Sequence, residues 1–95
     1  MDIGRKNEWL NMMMCNDNEI GKIYRDNDEY VIEINMWNGD IRILKTVNCR
    51  KIVHNVELVD EIGDITFNDK VYKFLTINDS ETILEIVADD IIMIK

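Results

Sequence analysis

The chain has 95 residues, 46% of them apolar and 32% charged, with a formal charge of −8. That length suits one domain around one core, and no apolar run approaches the ~20 residues of a membrane-spanning helix. The acidity opposes phosphate backbones, so direct nucleic-acid binding is excluded as a leading function and a basic protein becomes the fitting partner, although acidity also simply keeps small domains in solution.

Along the chain, the N-terminal segment lacks the long apolar region and small-residue cleavage site of a secretion signal. Cys15 and Cys49 lack CxxC spacing, so a cytoplasmic protein with two free thiols is expected. Trp9, Met12 and Met13 recur at i, i+3, i+4 behind a capping Asp2 and predict a short helix over 4–14. Asn16-Asp17-Asn18 closes it. The Met12-Met13-Met14 run reads as core filler, not as a metal or cofactor box.

Strand patterning begins at Glu19. Ile20–Tyr24 is a short strand closed by Arg25-Asp26-Asn27-Asp28, and Glu29–Trp37 alternates with Tyr30, Ile32, Ile34 and Met36 on one face. Asn38-Gly39 predicts a two-residue type I′ turn. That turn pairs Trp37 with Asp40, Met36 with Ile41 and Ile34 with Ile43, so Trp37 falls on the face opposite the apolar pairs. Its expected place is under the N-terminal helix, and the alternative is exposure as a binding anchor.

Val47–Val53 reads as a further strand, Asn55–Ile62 as a strand or helical turn, and Gly63-Asp64 as a break. Ile65–Phe67 is short and ends at the turn Asn68-Asp69. Lys70–Ile77 and Thr82–Ala88 flank a predicted two-residue Asp79-Ser80 loop, pairing Leu75 with Leu84 and Thr76 with Ile83. Both faces of this hairpin are apolar, which predicts a central position. Ile91–Ile94 closes the chain. The predicted fold is mostly β, with a minor α component. It is one domain over 1–95, an antiparallel β-sandwich or strongly curved sheet of about seven to nine short strands with the N-terminal helix over an edge or open end.

Chemistry-bearing residues are few. His54 is the single histidine and Ser80 the single serine, and a Cys49–His54 pair would lack a third, orienting group. Asp17-Asn18-Glu19 and Asp26-Asn27-Asp28-Glu29 lack the spacing of a calcium loop, and the cysteines and histidine are too few for a usual zinc set. The glycines at 4, 21, 39 and 63 form no phosphate loop. No catalytic residue, metal or cofactor is expected, and the chain reads as non-enzymatic.

The acids are uneven: residues 1–50 carry nine acidic and seven basic side chains, residues 51–95 ten and four. Glu57, Asp60, Glu61, Asp64 and Asp69 crowd one stretch, and Glu81, Glu85, Asp89 and Asp90 another. The plain reading is solvated faces. The functional reading is a patch that docks a basic protein, with Trp37, Asp40, Glu57, Asp60, Glu61, Asp64 and Asp69 as contact residues and Tyr24 as a further aromatic anchor.

Four features together resemble the small bacterial immunity proteins of polymorphic-toxin systems. They are Trp9 near the start, the step Cys15-Asn16-Asp17-Asn18-Glu19-Ile20 into the first strand, the turn MWNGDI, and the closing hairpin LTINDSETILEIVADDIIMI. Cys15-Asn16 stands where that family tends to carry an aromatic-His pair. The resemblance implies a non-enzymatic cytoplasmic antidote that blocks a cognate toxin, and it carries over no functional residue. A phage-encoded inhibitor of a host nuclease, of the anti-CRISPR or DNA-mimic kind, is the alternative, and a structural or assembly module is a further one.

Overall fold

The structure is a computed structural model that describes residues 17–95; the helix predicted over 4–14 lies outside the described residues. Nine strands follow in chain order: β1 (Asn18–Asp26), β2 (Glu29–Asn35), β3 (Ile41–Val47), β4 (Lys51–His54), β5 (Glu61–Ile62), β6 (Asp64–Asn68), β7 (Val71–Leu75), β8 (Thr82–Val87) and β9 (Asp90–Met93). They form a five-stranded sheet ordered β5-β1-β2-β3-β9 and a four-stranded sheet ordered β4-β8-β7-β6. Every pairing is antiparallel. The mostly-β expectation therefore holds for the described residues, as does the central position of the last hairpin, whose strands β7 and β8 are the inner pair of the smaller sheet.

Both sheets contribute to one core. Ile20, Ile32, Ile34, Leu44 and Ile91 from the larger sheet pack with Ile65, Tyr72, Phe74, Leu84 and Ile86 from the smaller. Burying each such side chain stabilises the fold by about 1.5–3 kcal/mol. No helix among the described residues is long and apolar enough to cross a membrane.

The turn chemistry differs from the sequence expectation in two places. In the first hairpin Asn35 pairs with Ile41, Ile34 with Arg42 and Ile32 with Leu44. The loop therefore has three residues, Trp37, Asn38 and Gly39. Gly39 N–H donates to Met36 O (3.0 Å) and Met36 N–H to Asp40 O (2.8 Å). Only Gly39 takes a left-handed conformation (φ 92°), while Asn38 does not. This is the β-turn followed by a left-handed glycine, not the type I′ turn, and one extra loop residue sends every β3 side chain to the other face. Leu44 and Thr46 thus turn inward, while Ile41 turns outward and is exposed.

The last hairpin also carries a longer loop. Thr76 N–H donates to Glu81 O (2.9 Å), so Ile77, Asn78, Asp79 and Ser80 form a four-residue loop in which Ser80 takes the left-handed conformation (φ 51°). Leu75 pairs with Thr82 and Phe74 with Leu84, skipping Ile83. That bulge lets consecutive residues Ile83 and Leu84 both be buried. The type I′ geometry appears instead at Asp69-Lys70, where both residues have positive φ between paired Asn68 and Val71.

The predicted strand Val47–Val53 is broken. The chain leaves the larger sheet at Val47, turns through Asn48-Cys49-Arg50 and enters the smaller sheet as β4. It changes sheets again at Gly63 and at Ala88-Asp89. Two carboxylates hold the first of these corners. Glu29 accepts bonds from the Thr46 hydroxyl (2.7 Å) and the backbone N–H groups of Asn48 (2.8 Å) and Cys49 (3.2 Å). Asp89 accepts the Asn48 side-chain amide (2.8 Å) and the Arg50 guanidinium (2.8 Å), and Lys70 Nζ lies 3.2 Å away. The corners at 47–50 and 88–89 and the turns at 27–28 and 69–70 lie at one end of the molecule, while the Gly63 corner abuts Ile77 at the other. The loops 36–40, 55–60 and 76–81 lie at that other end too.

Candidate functional site

The loop end is tied together by backbone groups. Asn18, at the start of β1, is fully buried and pairs with Ile62. Its Oδ1 accepts the Trp37 N–H (3.1 Å), which joins the first hairpin tip to β5. Ile20 N–H donates to Asp60 O (3.0 Å) and Asn55 N–H to Ile83 O (2.8 Å), so the 55–60 loop is held from both sheets. Inside that loop Asn55 accepts the Glu57 N–H (3.1 Å) on its side chain, and His54 Nε2 stands 3.0 Å from Asp60 Oδ1. The neighbouring 76–81 loop is closed by Glu81 N–H donating to the Thr76 hydroxyl (3.0 Å).

Between these two loops is an open cavity of about 280 Å³. Leu58, Val59 and Ile77 give it aliphatic walls, and Glu61, Asp79 and Glu81 give it three carboxylates, with no basic residue among the described lining residues. Val56 (79% exposed) and Val59 (72%) project from the loop beside it. Trp37, at the hairpin tip, is 62% exposed, which matches the alternative expected for it and not the place under the N-terminal helix.

The ion pairs are unevenly distributed. Every lysine or arginine ion pair among the described residues uses Asp26, Asp28, Glu85 or Asp89. Asp40, Glu57, Glu61, Asp79 and Glu81 enter none of them. Arg42, whose buried Nε has no hydrogen-bond partner among the described residues, and Lys95 pair with none of these acids. Unneutralised carboxylates beside apolar side chains make a surface that attracts a cation and then desolvates its carbon stem.

Of the residues predicted to bind a partner, Trp37 and Asp40 sit in the hairpin tip, and Glu57, Asp60 and Glu61 sit in or directly after the 55–60 loop. Asp60 is already engaged by His54. Asp64 follows Gly63 and accepts the Ile65 N–H (2.8 Å), a local contact at the start of β6. Asp69 lies in the β6–β7 turn at the opposite end, away from the other six. The second acidic group of the sequence is dispersed: Glu81 rims the cavity, Glu85 pairs with Lys51 (3.3 Å), Asp89 holds the corner, and Asp90 accepts the Tyr72 hydroxyl (3.4 Å). Leu58, Val59, Ile77 and Asp79 escaped sequence reasoning, and Glu81 entered it only as part of the second acidic group. The one signal for Leu58, Val59 and Ile77 is an aliphatic side chain inside a segment otherwise made of turn formers and acids.

His54 and Cys49 do not converge, because β4 runs between them. His54 faces Asp60, and the Cys49 thiol donates to Lys51 O (3.5 Å) at the corner. Burial pushes that thiol up from its ordinary range. No group of three or more His, Cys, Asp or Glu among the described residues is placed to hold a metal ion. No protein-family model, curated protein or solved structure matches the chain.

Proposed function

We propose that this chain is a non-enzymatic binding protein that inhibits a basic protein partner by occluding it with the loop end. The reading rests on one observation: the carboxylates Asp40, Glu57, Glu61, Asp79 and Glu81 have no cationic partner among the described residues, while Asp26, Asp28 and Asp89 of the opposite end do. Left unpaired around exposed valines, they favour a lysine- or arginine-bearing surface whose aliphatic stems pack on Val56, Val59 and Ile77. Charge of this kind acts mainly on the rate of encounter and on orientation, and the apolar contacts then slow release. A toxin whose own site must attract phosphate offers such a basic surface. The layout resemblance to immunity proteins supports that identity for the partner.

The test begins with capture of the partner from the native host and its identification by mass spectrometry. Association rates are then measured across salt concentrations. Reversing Glu61, Asp79 and Glu81 together to Lys is expected to slow association about tenfold or more at low salt and to flatten its salt dependence. Asp28→Lys, in the opposite turn, is the control and is expected to leave the rate unchanged. Asp60 is omitted because its reversal would also break the His54 contact. An association rate indifferent to the triple reversal at every salt concentration overturns the proposal.

A further inference from the structure

Asn38 is the only asparagine of the chain that is followed by glycine. Asn38, Gly39 and Asp40 are all exposed, and a Cβ built on Gly39 would meet nothing within 4 Å, so nothing crowds that residue. Asn38 Oδ1 accepts the Asp40 N–H (3.0 Å) and Asn38 Nδ2 donates to Asp40 Oδ2 (3.1 Å). The ring of atoms closed by the first bond contains both the Asn38 carboxamide carbon and the Gly39 backbone nitrogen. A nucleophile and its target are thereby kept near each other, and the same bond draws electron density from the carbon. Gly39 N–H donates to Met36 O (3.0 Å), which holds the nitrogen back until the tip opens. Exposed tips with few side-chain contacts are the segments that open most readily.

We propose that Asn38-Gly39 is a site of spontaneous covalent modification, at which the amide of Asn38 is converted to a carboxylate by way of a cyclic imide. The Gly39 nitrogen bonds to the Asn38 side-chain carbonyl carbon. The bond from that carbon to Nδ2 breaks, and Nδ2 leaves as ammonia with the proton given up by Gly39. Water then opens the imide. Attack at the side-chain carbonyl leaves aspartate, and attack at the backbone carbonyl leaves isoaspartate, whose main chain runs through Cβ. Water is the one co-reactant and no oxidation occurs.

The product changes the tip in two ways. A carboxylate cannot donate to Asp40 Oδ2 as the amide does, and it repels that group instead. The isoaspartyl form also lengthens the loop by one methylene between the bonds that close it. The formal charge goes from −8 to −9, and the added carboxylate falls at the end that holds Asp40, Glu61 and Glu81. The conversion needs no partner, so it holds or fails apart from the binding role proposed above.

The test is incubation of the full chain for weeks at neutral pH and physiological temperature, followed by peptide mapping and enzymatic methylation of isoaspartyl carboxylates. Exposed Asn27 and Asn78, each followed by aspartate, serve as internal controls. Conversion at Asn38 is expected to be about tenfold or more faster than at either, because a side chain on the following residue hinders ring closure. Gly39→Ala is expected to slow conversion at position 38 by a similar factor. Should that variant fail to fold, Asn38→Ser is expected to abolish the acidic species that ion exchange resolves in the parent. Amide exchange at Asp40 is expected to be faster in the isoaspartyl form than in fresh protein. An Asn38 that stays an amide, or that converts no faster than Asn27 and Asn78, overturns the proposal.

Discussion

Gly63 and Ile77 meet backbone to backbone: a Cβ placed on Gly63 would stand 2.4 Å from Ile77 Cα and 2.7 Å from its N. This is the point where the chain passes from β5 to β6, and Gly63 N–H is fixed there by Leu75 O (2.8 Å). Two main chains cannot yield as a side-chain tip can. Gly63→Ala is therefore expected to cost about 3 kcal/mol or more in urea unfolding. Gly39→Ala meets no atom within 4 Å, but its φ of +92° disfavours a side chain, and its expected cost is about 1–2 kcal/mol. Equal costs at the two positions would contradict the backbone contact.

Acid should loosen the corner held by Glu29 and Asp89. The Thr46 hydroxyl and then the Asn48 N–H hold the Glu29 carboxyl below its ordinary value of 4.5. The Asn48 amide, followed by Lys70 and Arg50, holds Asp89 down to about 2 from an ordinary 3.8. Depressed folded values mean that the stability these groups supply is complete above their unfolded values and disappears as pH falls through the folded ones. Stability is thus expected to decline from pH 4.5 toward about 2. Asp89→Asn and Glu29→Gln should be less stable than the parent at neutral pH and converge with it near the acid limit. Parallel acid profiles for parent and variants would count against this account.

An alkaline limb is expected from Tyr72. Burial first, and then the charge of Asp90, push its phenol up to about 12 from an ordinary 10. The raised folded value gives stability that is intact below pH 10 and is lost as pH rises toward about 12. Tyr72→Phe removes this limb at a cost of about 0.5–1.5 kcal/mol at neutral pH for the lost hydroxyl bond. Thermal unfolding between neutral pH and pH 11 measures both effects, and an unchanged alkaline limb in the variant would refute the assignment.

Asn18 is the tie between the first hairpin tip and β5. Replacing it with Ala leaves the Trp37 N–H without its 3.1 Å acceptor and is expected to cost about 1–3 kcal/mol. Urea unfolding gives the cost. Amide exchange at Trp37 is expected to quicken by more than the global loss explains, and exchange that follows global unfolding alone would refute the tie.

The strands were legible in the sequence because alternation and turn residues act locally. Tyr30, Ile32, Ile34 and Met36 mark β2 whatever surrounds them, and the turn formers at 26–28, 38–39, 68–69 and 78–80 all lie in loops or at strand ends. Hairpin register was not legible. Asn-Gly serves a two-residue or a three-residue loop equally well, and β3 offers apolar residues on both faces, Ile41 and Ile43 on one and Leu44 on the other. Only the packing of Leu44 against the second sheet, with Asn18 anchoring Trp37, selects the longer loop.

By itself the sequence determined a single acidic, antiparallel β-rich chain with its turns at nearly the observed places, because composition and period-two patterning need no partner to be expressed. The tertiary structure decided which carboxylates are neutralised and which are left bare. Glu85 and Asp89 look like Glu61 and Glu81 in the sequence. The first two face lysine or arginine across a strand or corner, while the second two line a cavity with none among the described residues. Ion pairing depends on distance through space, and folding alone sets those distances.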